Sequence, residues 1–163
     1  MNELDLHIEQ DIEDPRWSPY NLHLIESIAQ YVINELNISS SLFIELHLVN
    51  DESIQKLNHE YRQKDKATNV LSFPAFDGNL DLSKLHQNIT IGLGDIFLSF
   101  ETIQKEREDK QISFENHCYH LFLHGLLHLL GFDHQTDEEA NTMETIEIKI
   151  LSHFNISNPY EKV

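Results

Sequence analysis

The run HGLLHLLGFDH at residues 124–134 constrains this chain more than any other segment. His124 and His128 are four apart among leucines, which is the spacing of one helix face. Four helical residues rise about 6 Å and turn through nearly one revolution, so both imidazoles leave the same side. Gly131 then stops the helix, because glycine takes a positive φ without steric penalty. The reversal brings His134 back toward the open side of the pair. Three neutral imidazoles with a vacant fourth position are the usual arrangement of a catalytic zinc. The segment therefore predicts one zinc-like ion held by His124, His128 and His134. Two histidines alone could be chance on an apolar helix; a third beyond a helix-stopping glycine argues against that.

Other groups near the motif have more than one reading. Cys118 lies six positions before His124, about 600° around a helix, so it points off the metal face and reads as a small buried hydrophobe. His120 precedes His124 by four and shares its stripe. It is a candidate to support a ligand from behind, to line the pocket, or to fill the fourth position of a closed site. His117 reads as surface decoration or core lining. Asp133, beside His134, can orient a ligand histidine, take a proton, or brace the turn.

The spacing H-x3-H-x2-G-x2-H is also that of the metzincin zinc proteases. Those enzymes carry Glu directly after the first histidine, as general base on the zinc-bound water. This chain has Gly125 there. The metal frame is kept and the protease base is missing. A phosphodiester depends more on charge neutralisation and alignment, which a metal and an arginine supply.

Composition bounds the rest. With 163 residues and 40% hydrophobic content the chain is expected to form one domain, 1–163, with its own core. No window approaches the roughly 18 apolar residues of a membrane span. The acidic start MNELDLHIEQDIED does not read as a signal peptide. One cysteine allows no internal disulfide framework, so the expected compartment is the cytoplasm, without membrane attachment. The net charge of −17 repels nucleic acid at long range, and DNA is not an expected partner. Salt screens such repulsion beyond roughly 8–10 Å, so a local basic site remains open. Lys56, Arg62, Lys64 and Lys66 cluster within eleven positions. Arg62 suits a phosphate bidentately. Equally, it could be a solvated helix end paired with Asp65 or Glu60.

Along the chain, residues 4–9 alternate as a half-buried strand does. Ser18–Pro19 signals a helix start, followed by the stripe Ile25, Ile28, Ala29, Val32, Ile33 and Leu36. Residues 42–49 return to period two. Asn50 caps a helix whose buried side is Ile54, Leu57 and Tyr61. Residues 69–74 form a short strand ended by proline, Asp77–Gly78 a turn, and 89–98 a strand whose two glycines imply a bulge or close backbone approach. A polar helix over 99–110 follows, then the metal helix from near Ser113 to Leu130. Thr136 to Glu139 is a capping box for a last helix that buries Ala140, Met143, Ile146, Ile150 and Leu151. The order predicts an α+β fold with a mixed sheet of about four strands and five or six helices. The metal site then lies on a central helix of the C-terminal half.

Four blocks together resemble a known family. HGLLHLLGFDH resembles the HGxLHLxGyDH signature of the YbeY-type endoribonucleases, the bacterial rRNA maturation factors. NHEYRQKDKATNVLSFP, residues 58–74, resembles that family's N-x-x-[YF]-R-x-x-D-x-x-T-[DN]-V-L-S-F-P. LGDIFLS at 93–99 and EEANTMETIEIKIL at 138–151 agree with it, so the likeness spans roughly residues 50–151. The resemblance implies a zinc- or other divalent-metal-dependent RNase acting on single-stranded RNA. It also implies maturation of the 3′ end of 16S rRNA, and work with the small ribosomal subunit and its assembly proteins. His124, His128 and His134 take the metal positions, and Arg62 that of the substrate-contacting arginine, with Lys64 and Lys66 beside it. Asn69 stands where many members have Asp and is left out of the catalytic set. A zinc metalloprotease and a non-catalytic assembly factor with a structural zinc are the competing readings.

Overall fold

The alternation of Leu42, Ile44, Leu46 and Leu48 builds the central strand of the sheet, β2 (Ser41–Val49), with those four side chains buried. Residues 6–76 and 89–161 of a computed structural model are described. β2 lies between β1 (Leu6–Ile12) and a strand from Thr90 to Ser99, both parallel to it. The segment Val70–Pro74 adds an antiparallel edge beside that Thr90–Ser99 strand. In chain order these last two are β3 (Val70–Pro74) and β4 (Thr90–Ser99), so the sheet runs β1-β2-β4-β3. The helices are α1 (Ile25–Glu35), α2 (Asp51–Arg62), α3 (Phe100–Lys110), α4 (Phe114–Leu129) and α5 (Asp137–His153). The result is the expected α+β domain with a four-stranded mixed sheet and five α-helices.

Three local outcomes differ from the sequence expectation or refine it. The first helix starts at Ile25, not after Ser18–Pro19. The cap-and-proline signal is used one motif earlier: Asp14 accepts from the Arg16 N–H, and Pro15 opens a 3-10 turn over Pro15–Trp17 that Ser18 ends. Trp17 is buried there and donates its indole N–H to the Val49 carbonyl at 2.9 Å, which anchors the turn to the sheet. In α2 the Asn50 cap is present, but Tyr61 is 56% exposed and Asn58 is buried in its place. Asn58 is needed inside because its side-chain amide donates to the Lys66 carbonyl at 2.9 Å; its backbone carbonyl accepts from Lys64 N–H at 3.1 Å. One buried residue thus shapes the turn that carries both lysines. In α5 Ala140 and Ile146 are only half-buried, and Glu147 lies fully inside. The Asp77–Gly78 turn and the irregular run after it lie outside the described residues.

The glycine expectation for β4 holds. Phe43 pairs with Gly92 and Ile44 with Gly94, so Leu93 is the extra residue of a bulge. Gly94 has φ +135°, and a Cβ there would lie 2.2 Å from the Phe73 carbonyl oxygen. Only glycine lets β3 approach so closely.

Helix α4 is the hub. Ser113 caps it, accepting from the Asn116 N–H at 3.0 Å, and twelve of its sixteen residues are buried. It crosses β4 at Gly125, where a Cβ would sit 3.1 Å from Ile96 Cγ2. Gly131, at φ +101°, ends the helix, and the Phe132 N–H returns to the Leu127 carbonyl at 3.0 Å. Thr136 caps α5, accepting from the Glu139 N–H at 3.1 Å. Among the described residues no helix is long and apolar enough to cross a membrane.

Candidate metal centre

His124 and His128 leave the C-terminal half of α4 on one side, and the turn at Gly131 carries His134 to meet them. The ring centroid of His134 lies 4.9 Å from that of His128 and 5.5 Å from that of His124. One nitrogen from each of the three lies within 4.8 Å of the others. Two of the rings are held in a defined tautomer. The Nδ1 of His128 is 3.0 Å from the Phe132 carbonyl, which can only accept, so that nitrogen carries the proton. The Nδ1 of His124 is 2.6 Å from Glu147 Oε1, with the same consequence. Both Nε2 lone pairs therefore face the shared space, 3.1 Å apart. Two imidazole nitrogens at about 2.0–2.1 Å from a tetrahedral ion sit about 3.3 Å apart. The donor set fits a divalent metal ion. Burial, with His124 and His134 beside it, pushes His128 down to about 4, which keeps its ring neutral near pH 7 and free to donate a lone pair.

Behind the three histidines lies a carboxylate that the sequence pattern alone did not single out. Glu147 of α5 is fully buried. Its Oε1 accepts from His124; its Oε2 accepts from the Tyr160 hydroxyl and lies 3.3 Å from His120 Nε2. Burial alone would raise this carboxyl, but hydrogen bonds from His120, His124 and Tyr160 outweigh that and hold it at about 2. Burial pushes His120 down and Tyr160 up, the latter reinforced by its bond to Glu147. The signal in the sequence was a Glu on the apolar stripe of α5, between Met143 and Ile150. His120 gives its Nε2 to this group and stands outside the three-histidine cluster, contrary to the fourth-ligand reading. Cys118 is buried, as expected, and burial pushes its thiol up. His117 is core lining rather than surface: its Nε2 meets Glu106 Oε1 at 2.9 Å.

The three histidines open into a groove of about 900 Å³. Arg62, Lys64 and Lys66 line the same groove, and Val70 to Pro74 of β3 contribute to its wall. Arg62 donates from Nη2 to the Ser72 carbonyl at 3.0 Å and stands 5.1 Å over the Phe73 ring. Asp65, one of the ion-pair partners considered for it, accepts from Gln55 instead. Lys56 is not part of the groove and pairs with Glu52 across one turn of α2. Asn69 donates to Glu106, the carboxylate that also meets His117. Asp133 lines the groove, and its Oδ1 accepts from the His134 backbone N–H at 2.7 Å, the bracing contact of the turn. A second set of metal-capable side chains, Glu45, His47 and Asp95, lies on the half-exposed sheet face. There His47 Nε2 meets Asp95 at 2.8 Å and its ring stacks on Phe97.

The family model described as Endoribonuclease YbeY matches residues 8–155. Two proteins named Endoribonuclease YbeY, from two strains of Rhizobium etli, are each 46% identical over 118 residues. The match covers 72% of this chain and 66% of each relative, just under two thirds of their length. A Thermotoga maritima protein solved in solution shares the fold, with a TM-score of 0.54 and 18% identity over 96% of this chain and 99% of that one. With the family model matching nearly its whole length, the chain belongs to the YbeY endoribonuclease family.

Proposed function

We propose that this chain is a metal-dependent endoribonuclease, a hydrolase that cuts single-stranded RNA. The observation that carries the reading is that the three histidines and Arg62 line one groove. A divalent metal at His124, His128 and His134, zinc in this proposal, would act there as a Lewis acid and lower the pKa of bound water. The chain's own residues do the remaining work. Arg62 is held against Ser72 and Phe73, so its guanidinium is pre-placed to take a phosphate oxygen and neutralise charge as the phosphodiester is attacked. Lys64 and Lys66, on the turn shaped by Asn58, offset the −17 net charge locally and draw the RNA backbone into the groove. His120 and Asp133 support the site, one through Glu147 and the other through the turn. The family likeness supports a role in maturing the 3′ end of 16S rRNA on the small ribosomal subunit, together with its assembly proteins, in the cytoplasm. Residues 1–163 then serve as a single metallo-endoribonuclease domain. Peptidase chemistry is disfavoured by Gly125, which packs against Ile96 where the protease pattern needs its base.

The test uses a single-stranded RNA substrate with a labelled end. His124→Ala and Arg62→Glu should each abolish cleavage while the circular dichroism spectrum stays that of the parent. Undiminished cleavage by metal-stripped protein carrying both changes would overturn the proposal.

A further inference from the structure

Glu147 is a charged group in a place built for an aliphatic one. It occupies the apolar stripe of α5, flanked by Met143, Ile150 and Leu151, with no solvent exposure. An unpaired carboxylate there would be strongly unfavourable. It is tolerated because every oxygen is engaged. Oε1 faces His124 Nδ1 at 2.6 Å, and Oε2 takes the Tyr160 hydroxyl, with His120 Nε2 at 3.3 Å. Tyr160 lies beyond α5, seven residues past its last residue His153, and folds back over the helix to reach this carboxylate.

Building on the metal-centre reading, we propose that Glu147 is the positioning residue of that centre, and that Tyr160 in turn positions Glu147. An imidazole has two tautomers, and only the one with Nδ1 protonated presents Nε2 to the ion. A carboxylate at Nδ1 selects that tautomer, fixes the ring plane and raises the basicity of Nε2. For His128 the same task falls to a backbone carbonyl, which no substitution removes. For His124 it falls to a side chain, so it can be tested. With Oε2 held by Tyr160 and His120, the carboxylate cannot swing away or become a ligand itself.

The experiment measures zinc affinity of the full chain by competition with a chromophoric chelator. Long-range ¹H–¹⁵N spectra of the metal-free protein report the His124 tautomer. Glu147→Gln keeps the shape and an acceptor oxygen but loses the charge; it should weaken zinc binding roughly 10–100-fold and mix the His124 tautomers. Tyr160→Phe removes one hydroxyl at a 39% exposed residue and leaves His120 Nε2 beside Oε2, so it should weaken binding in the same direction by less. Glu106→Gln is the control, because Glu106 and His117 form another His–carboxylate pair against α4 that touches no ligand. It should leave zinc affinity unchanged. Parent-like affinity in a folded Glu147→Gln protein, or an equal loss in Glu106→Gln, overturns the proposal. If Glu147→Gln does not fold, parent-like affinity in Tyr160→Phe overturns it. Parent-like zinc affinity in His124→Ala would instead sink the metal centre on which it rests.

Discussion

Gly125→Glu would restore the residue that the zinc-protease pattern carries after its first histidine, and the structure predicts that it fails. The first atom added at position 125 meets Ile96 Cγ2 at 3.1 Å, and Ile96 is fully buried. Overpacking of this kind costs about 1–3 kcal/mol. Replacing glycine by a better helix former returns about 0.5 kcal/mol. The larger effect is electrical. The introduced carboxyl starts at the junction of α4 and β4, and burial of that kind raises a carboxyl by roughly three units, or about 4 kcal/mol at neutral pH. The net loss is about 5 kcal/mol, comparable with the whole stability of a small domain. The electrical part has a definite pH signature. The introduced group has a raised folded pKa, so its penalty is absent below its unfolded value near 4.3 and grows as pH rises past that value. Urea unfolding of metal-free protein at pH 5 and pH 8 should show a markedly larger deficit at pH 8. Casein hydrolysis should remain undetectable. A Gly125→Glu protein as stable as its parent at both pH values, or one that digests casein in a chelator-sensitive way, would refute the packing argument and revive the protease reading.

Two further outcomes follow from the same structure. Gly94→Ala should cost more than about 3 kcal/mol, because it combines a positive φ with a 2.2 Å approach to the backbone of Phe73, which cannot move without unpairing β3; a urea midpoint unchanged from the parent would contradict this. Glu147, held at about 2 against an ordinary 4.5, contributes about 3 kcal/mol that is fully present above pH 4.5 and is lost as pH falls toward 2. Metal-free parent protein should therefore lose stability more steeply than Glu147→Gln over that interval, and equal slopes in acid urea titrations would count against it.

Much of the fold was legible because its signals are local. Leu42 to Leu48 alternate and became the central strand; Asn50, Ser113 and Thr136 sit before helices and cap them. Ser18–Pro19 does not open the first helix, which starts at Ile25 behind Leu24 with no side-chain cap, so no local cap signal marks its start; Asp14–Pro15 opens only the 3-10 turn that buries Trp17. Tyr61 was expected inside by helical spacing, yet the groove needed its neighbour Asn58 there to hold the 63–66 turn.

The three-histidine cluster was determined by the sequence alone. Two histidines at i and i+4, a glycine and a returning histidine fall within eleven residues, so helix geometry and one turn suffice to bring them together. What surrounds the cluster was decided only by the tertiary structure. Arg62 reaches the groove because Gly94 lets β3 close on β4 and β3 supplies Ser72 and Phe73 to hold it. Glu147 and Tyr160 reach His124 because α5 packs back on α4 and the chain after it folds over both. The bonds that hold these groups join residues 10 (Arg62–Ser72), 13 (Glu147–Tyr160) and 23 (His124–Glu147) positions apart, and the groove brings Arg62 to the same wall as the far more distant His124. At such separations no local periodicity records which side chains will meet, because packing selects them.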